Sequence, residues 1–285
     1  MIDLKEISFE LRDIISKKQN EYGLTFTEDT HTYQMLDTKG ILRDDWISVS
    51  KVIKKFYREF PADEISTKKA KGDPILKQKL LEEWKAAGDY STNMGSRTHY
   101  LLEGKTIDLF GSYKEVRQPV FDCDFEQIMK SDYMVQAGSD YLELMVKRGA
   151  ILLDTEIVLG HPELGFVGQP DKMWLFTNKT ADELGLVCTD WKTNKAKNFE
   201  VNHFTDKMYH PFQNQHNNAL GHYFVQLPLY CKLLLKMLEG TKYENIKLYG
   251  CVVVLLKDDG SYEEFRVPKE VINTVMKMDV KKYLS

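Results

Sequence analysis

Leu186-Val187-Cys188-Thr189-Asp190-Trp191-Lys192 alternates as a β-strand does. Successive strand side chains point to opposite faces, so residues i and i+2 share one. Leu186, Cys188, Asp190 and Lys192 therefore fall on one face, and Val187, Thr189 and Trp191 on the other. A carboxylate and an ammonium stand side by side at the end of an apolar run. Alone, an Asp-x-Lys spacing is commonly just a solvated surface pair.

Working outward, the Thr177–Gly185 turn separates this strand from an apolar run over Phe166 to Phe176, which contains Gly168-Gln169-Pro170-Asp171. If the two runs pair, Asp171 and Asp190 meet on one face. Two carboxylates that close repel, and one protonates unless a cation sits between them. Carboxylate oxygens without cysteine favour Mg²⁺ or Mn²⁺ over zinc. Lys192 beside them can orient or deprotonate a water, or stabilise charge developing on a phosphate. Glu156, in Leu153-Asp154-Thr155-Glu156-Ile157-Val158-Leu159, supplies a third carboxylate if it faces inward. Asp154 shares its face by period-two counting, so either residue can be the inward one.

Further candidates lie on helices. Gly95 and His99 are four residues apart and share a helix face, and a glycine lets another backbone approach the histidine. His99 can serve as a metal ligand or phosphate contact, against the alternative of a surface histidine near Glu103. Gln226 and Tyr230 are a second such pair, with Tyr223 on the same side. An amide and phenol hydroxyls on one face can contact a nucleic-acid backbone or the lysine, although a core helix with a buried tyrosine is the commoner case. His210, His216 and His222 fall in a polar stretch without suitably spaced acidic or cysteine partners, so that stretch reads as a mobile, substrate-facing loop begun by Lys192, Lys195 and Lys197. No Gly-rich phosphate loop and no Gly-x-Ser-x-Gly elbow is present, which gives nucleotide hydrolysis and serine-hydrolase chemistry no support.

The remaining pattern sets the fold class. Leu4 to Lys18 has mixed helical spacing. Leu24–Phe26 and His31–Met35 flank Thr27–Thr30 as a hairpin, and Ser48 or Ser50 can cap a helix carrying Val52, Ile53, Phe56 and Tyr57. Two charged helices follow Pro61 to about Ala87, Asn93 to Glu103 reads as another short helix, and Phe125 to Arg148 as a long one with a possible break at Gly138. Strand character then covers Ala150 to Leu159, Phe166 to Phe176, Leu186 to Lys192 and Lys247 to Leu256, with a helix at Ala219 to Leu238. Ser261 to Val267 returns as a strand, and a last helix runs from Pro268 to about Leu284. A three-stranded meander, a crossover helix and a further strand make an α/β core with a helical N-terminal elaboration. One domain over 1–285 is expected, with the elaboration at 1–92 and the core at 93–285.

The 285 residues are 42% hydrophobic and 29% charged, with formal net charge −4. That is ordinary for a soluble enzyme and gives no global sign of nucleic-acid binding, without excluding local basic contacts. No apolar run is long enough to span a bilayer, and Met1-Ile2-Asp3-Leu4-Lys5-Glu6 is unlike a secretory signal. Cys123, Cys188, Cys231 and Cys251 form no Cys-x-x-Cys pair. Disulfides, a zinc ribbon and an iron–sulfur cluster are not expected, and a cytoplasmic location is.

Pro170-Asp171 and Asp190-Trp191-Lys192, with Gly95-x-x-x-His99 upstream and Gln226-x-x-x-Tyr230 downstream, together resemble the PD-(D/E)XK nuclease superfamily in its RecB-like branch. The likeness covers Gly95 to Tyr230. It extends more loosely through the N-terminal hairpin and Ser48-Val49-Ser50 toward phage-encoded and mitochondrial genome-maintenance exonucleases. The resemblance implies a restriction-endonuclease-like core, a mixed central sheet flanked by helices. It implies Mg²⁺ (or Mn²⁺) held by Asp171, Asp190 and the Trp191 carbonyl, with His99 a nearby ligand or phosphate contact. Lys192 would be the catalytic lysine, Gln226 and Tyr230 would support it or the DNA, and Glu156 matches an acidic position less surely. Implied partners are DNA ends and a recombinase, single-strand-binding protein or helicase, in recombination, repair or genome processing, in the host cytoplasm if phage-encoded. Cys188 and Cys231 stand inside core elements, unlike the iron–sulfur subgroup. The alternatives are a catalytically silent DNA-binding or assembly module and a structure-specific endonuclease.

Overall fold

A computed structural model describes residues 3–111, 119–201 and 206–284. Met1 and Ile2, the start of the acidic N-terminus, lie outside them. The chain is mixed α/β. Its helices are α1 (Leu4–Glu21), α2 (Val49–Ile53), α3 (Ala62–Ala70), α4 (Pro74–Phe110), α5 (Phe125–Lys147), α6 (Ala219–Met237) and α7 (Lys269–Lys277). Its strands are β1 (Thr25–Thr27), β2 (Thr32–Leu36), β3 (Leu42–Arg43), β4 (Ile47–Ser48), β5 (Ile151–Thr155), β6 (Leu159–His161), β7 (Phe166–Gly168), β8 (Lys172–Thr177), β9 (Leu184–Lys192), β10 (Lys247–Leu256) and β11 (Tyr262–Arg266).

The central sheet has the order β11-β10-β9-β8-β5. β9 is antiparallel to β8 and parallel to β10, with α6 in the connection between β9 and β10. The alternation read from Leu186–Lys192 is the alternation of the two faces. Leu186 and Cys188 join Met173, Leu175, Val253 and Leu255 under α1, α2, α6 and α7. Val187 and Trp191 join Trp174, Val254 and Leu256 under α4 and α5. The result is three layers, with a separate apolar core on each face of the sheet. Each fully buried Val, Leu, Ile, Phe or Met in these cores contributes roughly 1.5–3 kcal/mol.

Two smaller sheets attach to this core, β1-β2-β3 and β4-β7-β6. The second arises because the runs expected as single strands over Ala150–Leu159 and Phe166–Phe176 each divide. β5 pairs with β8 in the central sheet, whereas β6 pairs with β7 in the small one. Pro170 has no N–H for a ladder, and Glu156 adopts φ +46°, which few non-glycine residues do. The double strand therefore turns a corner at Glu156 and Asp171, whose backbones still meet through a Glu156 N–H to Asp171 carbonyl bond of 3.0 Å.

The helices differ from expectation mainly in α4. The second charged helix and the short His99 helix are one 37-residue helix from Pro74 to Phe110, capped by Asp73. The expected division at 92/93 falls inside it. Glycine in a helix interior costs about 1 kcal/mol relative to alanine, too little for Gly88 to end so long a helix. α5 likewise passes Gly138 without a break. Ser48 occupies the N-cap position of α2 but makes no capping bond, its hydroxyl lying 3.0 Å from that of Ser50. Of the stretch before α6, expected as a mobile loop, residues 202–205 lie outside the described residues, and the described parts on either side are pinned to the core by Phe199, Met208 and Phe212.

Candidate active site

The β8–β9 register runs from Thr177↔Leu184 to Lys172↔Thr189. One further step sets Asp171 against Asp190, on the face covered by α6. Asp171 is fixed first by the backbone of β9: Trp191 N–H donates to Asp171 Oδ2 at 2.7 Å. The same oxygen lies 3.5 Å from His99 Nδ1. Asp190, 3% exposed, meets Lys192 with Oδ2 to Nζ at 2.5 Å. The lysine ammonium also lies 4.4 Å from the centre of the Tyr223 ring, whose hydroxyl donates to Asn194 Oδ1 at 2.8 Å. Asp190 and Lys192 thus project together, as their i, i+2 spacing requires.

His99 reaches Asp171 because α4 crosses closely over the end of β9. A Cβ on Gly95 would lie 2.8 Å from Thr193 Oγ1. Real Cβ atoms do not approach that near, so glycine sets the helix–strand spacing one turn from His99.

Gln226 Nε2 donates to the Tyr230 hydroxyl at 2.7 Å, so this i, i+4 pair on α6 is a single unit. It lines a cleft of about 240 Å³ with Asp171, Glu156, Gln169 and Gly168. Gln169 Nε2 donates to the Glu156 carbonyl at 3.0 Å and lies 3.4 Å from its Oε2. Of the two acidic candidates on β5 and its exit, Glu156 is therefore the inward one. Asp154 instead accepts from the Thr155 N–H.

The electrostatics separate the two aspartates. Burial, together with the Asp171 charge, pushes the Asp190 carboxyl up to about 7 against the opposing pull of Lys192. Burial works the same way on Asp171, but His99, Lys192, Lys172 and the Trp191 N–H outweigh it and hold that carboxyl below its usual range. Two neighbouring acids with opposite shifts are a common mark of a functional site, although structural ion pairs also produce them. Burial lowers His99, favouring the neutral imidazole. Burial also disfavours the Lys192 charge, yet Asp190 and Asp171 overcome it and raise the group well above an ordinary lysine.

Further residues, most of them without a pattern in the sequence, join this group. Lys172 is fully buried, its ammonium 4.8 Å from the Trp191 ring centre on the opposite face of the sheet. Its signal was a charge inside an apolar strand. His31, Tyr33, Ser48 and Ser50 reach the Asp171 cleft from the N-terminal segment, and no local pattern marks that approach. Cys188, Cys231 and Cys251, scattered in sequence, converge behind the site, with Cys231 and Cys251 sulfurs 3.6 Å apart. Trp191 contributes its N–H, and its indole packs edge-on against Tyr141 at 5.3 Å.

No protein-family model matches the chain. No curated protein matches it significantly either.

The fit to a cation rests on the donors themselves. Asp190 Oδ2 is a buried oxygen held by the Lys192 ammonium at 2.5 Å. Carboxylates with one neutral imidazole suit a hard divalent ion. Among the described residues, no three His, Cys, Asp or Glu side chains already form a closed cation cage. The residues fit such an ion by the chemistry of their donors. Two of the three further histidines have other partners: His216 Nε2 lies 2.9 Å from Lys207 Nζ, and His222 stacks on Tyr57 at 3.6 Å. Among the described residues no helix is long and apolar enough to cross a membrane.

Proposed function

We propose that this chain is a Mg²⁺- or Mn²⁺-dependent deoxyribonuclease, an exonuclease of the PD-(D/E)XK kind on a restriction-endonuclease-like core. The supporting observation is the meeting of Asp171, Asp190, Lys192 and His99, three separate sequence motifs, at one corner of the sheet. The β5-β8-β9 meander, the α6 connection and the parallel β10 support the core assignment.

Asp171, Asp190 and His99 would hold the ion, with Glu156 at the adjoining corner. When bound, a divalent ion supplies Lewis acidity to a phosphodiester and a lowered pKa to water. Lys192, kept protonated by its carboxylate neighbours, stabilises charge developing on the phosphate rather than acting as a resting-state base. Tyr223 and Asn194 hold Lys192 from the far side. Gln226 and Tyr230 orient the strand in the cleft.

The test is digestion of linear and covalently closed DNA, labelled at either end, with Mg²⁺, Mn²⁺ or EDTA, beside Asp190→Ala. Metal-dependent loss of label from linear DNA, absent in the variant, is expected. Equal cleavage by wild type and Asp190→Ala would sink the assignment. A catalytically silent DNA-binding module is the second reading, favoured by the absence of a closed cage among the described residues. Measurable binding without cleavage of any DNA would favour it. Cleavage of the closed circle at the linear rate would favour a structure-specific endonuclease.

A further inference from the structure

The cleft at Asp171 has a second wall, built from the first fifty residues. His31 and Tyr33 come from the hairpin of β1 and β2, and Ser48 and Ser50 from β4 and the start of α2. That wall is held in place by the core. Ser48 pairs with Val167 in the parallel β4–β7 ladder. A Cβ on Gly168 would lie 2.6 Å from Tyr230 Cε1 and 2.7 Å from Val49 Cγ2. The segment Ser48–Ser50 and the Tyr230 helix therefore close on Gly168 as tightly as a glycine permits.

The chemistry of this wall suits an anion. The Ser48 and Ser50 hydroxyl oxygens are 3.0 Å apart. One O–H serves the bond between them, which leaves the other to donate into the cleft. His31 is exposed, has φ +49°, and packs edge-on against Phe26 at 5.1 Å and Tyr33 at 6.0 Å. The Gln226 amide, which gives one N–H to the Tyr230 hydroxyl, has a second to offer. Glu156 and Asp171 form the acidic corner of the same cleft. Its volume of about 240 Å³ is below the range of pockets that enclose a drug-sized molecule. It has room for the phosphate and sugar of one residue of a strand.

Resting on the nuclease reading, we propose that this cleft receives the terminal phosphate-bearing nucleotide of a DNA strand. Ser48, Ser50 and His31 contact that phosphate, and the N-terminal hairpin makes cleavage dependent on an end. Three proteins test this: Ser48→Ala/Ser50→Ala, His31→Gly, and Asp190→Ala. Glycine keeps the positive φ at position 31. Steady-state kinetics are measured on linear DNA with phosphorylated ends and on a closed circle, with melting temperatures for each protein. Loss of a hydrogen bond to a charged phosphate predicts a KM for linear DNA raised about tenfold or more, with kcat changed less than about threefold. The circle should stay intact. Wild-type KM in both hairpin-wall variants, with Asp190→Ala inactive, overturns this inference alone, as does rapid cutting of the circle. Activity in Asp190→Ala overturns the nuclease reading and this inference with it. Should the serine variant melt early, His31→Gly decides, because that side chain is exposed and outside both cores.

Discussion

Lys192 Nζ lies 2.5 Å from Asp190 Oδ2, two positions earlier on the same strand, and the two charges share one nearly dry environment. Breaking such a pair leaves the surviving charge uncompensated, which typically costs 3–5 kcal/mol. Replacing both members with apolar or neutral groups of similar volume is close to neutral. Lys192→Met should therefore destabilise the protein by about 3 kcal/mol. Asp190→Asn/Lys192→Met should recover most of that loss in denaturant melts while remaining inactive on DNA. Wild-type stability of the single variant would show the pair to be solvated.

That pair was legible because β-strand alternation is local: seven residues suffice to place Asp190 and Lys192 on one face. The meeting with Asp171 needed only antiparallel pairing across one turn, and β8–β9 provides it. The choice between Glu156 and Asp154 needed more. The β5–β8 register shifts between Leu152 and Asp154, and a bulge changes which parity faces the site without leaving a pattern in the sequence. The cleft wall of His31, Ser48 and Ser50 was hidden for a different reason. Its approach depends on β4 pairing with β7 across more than a hundred residues. Ser48 had a sufficient local explanation as a helix cap, a bond it does not make. The three converging cysteines are the same case, drawn from β9, α6 and β10.

The spacing of α4 and β9 is open to a direct test. A methyl on Gly95 would meet Thr193 Oγ1 at 2.8 Å; Gly95 is buried inside α4, and Thr193 is the half-buried residue just past the end of β9. Overpacking of this kind costs typically 1–3 kcal/mol. Gly95→Ala should lose about 2 kcal/mol of stability and at least tenfold in activity, since His99 and the end of β9 must part. Thr193→Ala removes the opposing hydroxyl. Added to Gly95→Ala, it should restore more than half of the stability, and a double-mutant cycle in denaturant measures the coupling. Additive effects would mean that the contact does not set the spacing.

His222 gives a pH dependence separate from the site chemistry. Burial lowers its pKa to about 4 where it stacks on Tyr57. Its folded-state pKa lies below the unfolded value near 6.5, so the folded protein binds fewer protons between the two. The resulting stability is present above about pH 6.5 and is lost as pH falls toward 4. A shift of that size is about 3 kcal/mol at most, and partial exposure reduces it to about 2. His222→Phe keeps an aromatic stack without a titrating group. Between pH 6.5 and 4 the wild type should lose about 2 kcal/mol more stability than the variant does, by urea melts at each pH. Parallel curves would show that His222 protonates freely in the fold.

A divalent ion should stabilise the folded chain, because it relieves the mutual repulsion of Asp171 and Asp190. Binding to the folded state alone adds RT ln(1 + [L]/Kd), about 1.4 kcal/mol at ten times Kd. For a chain of this size that raises the melting temperature by about 3 °C. Mn²⁺ titrated against the wild type should produce this rise with saturation. Asp190→Asn should remove it, because one of the two carboxylates is gone. Asp154→Asn, a change on the same stretch of sheet but outside the cleft lining, should leave the Mn²⁺ response intact. An equal rise in all three proteins would place the bound ion away from Asp190, and the nuclease reading would then have no metal at its centre.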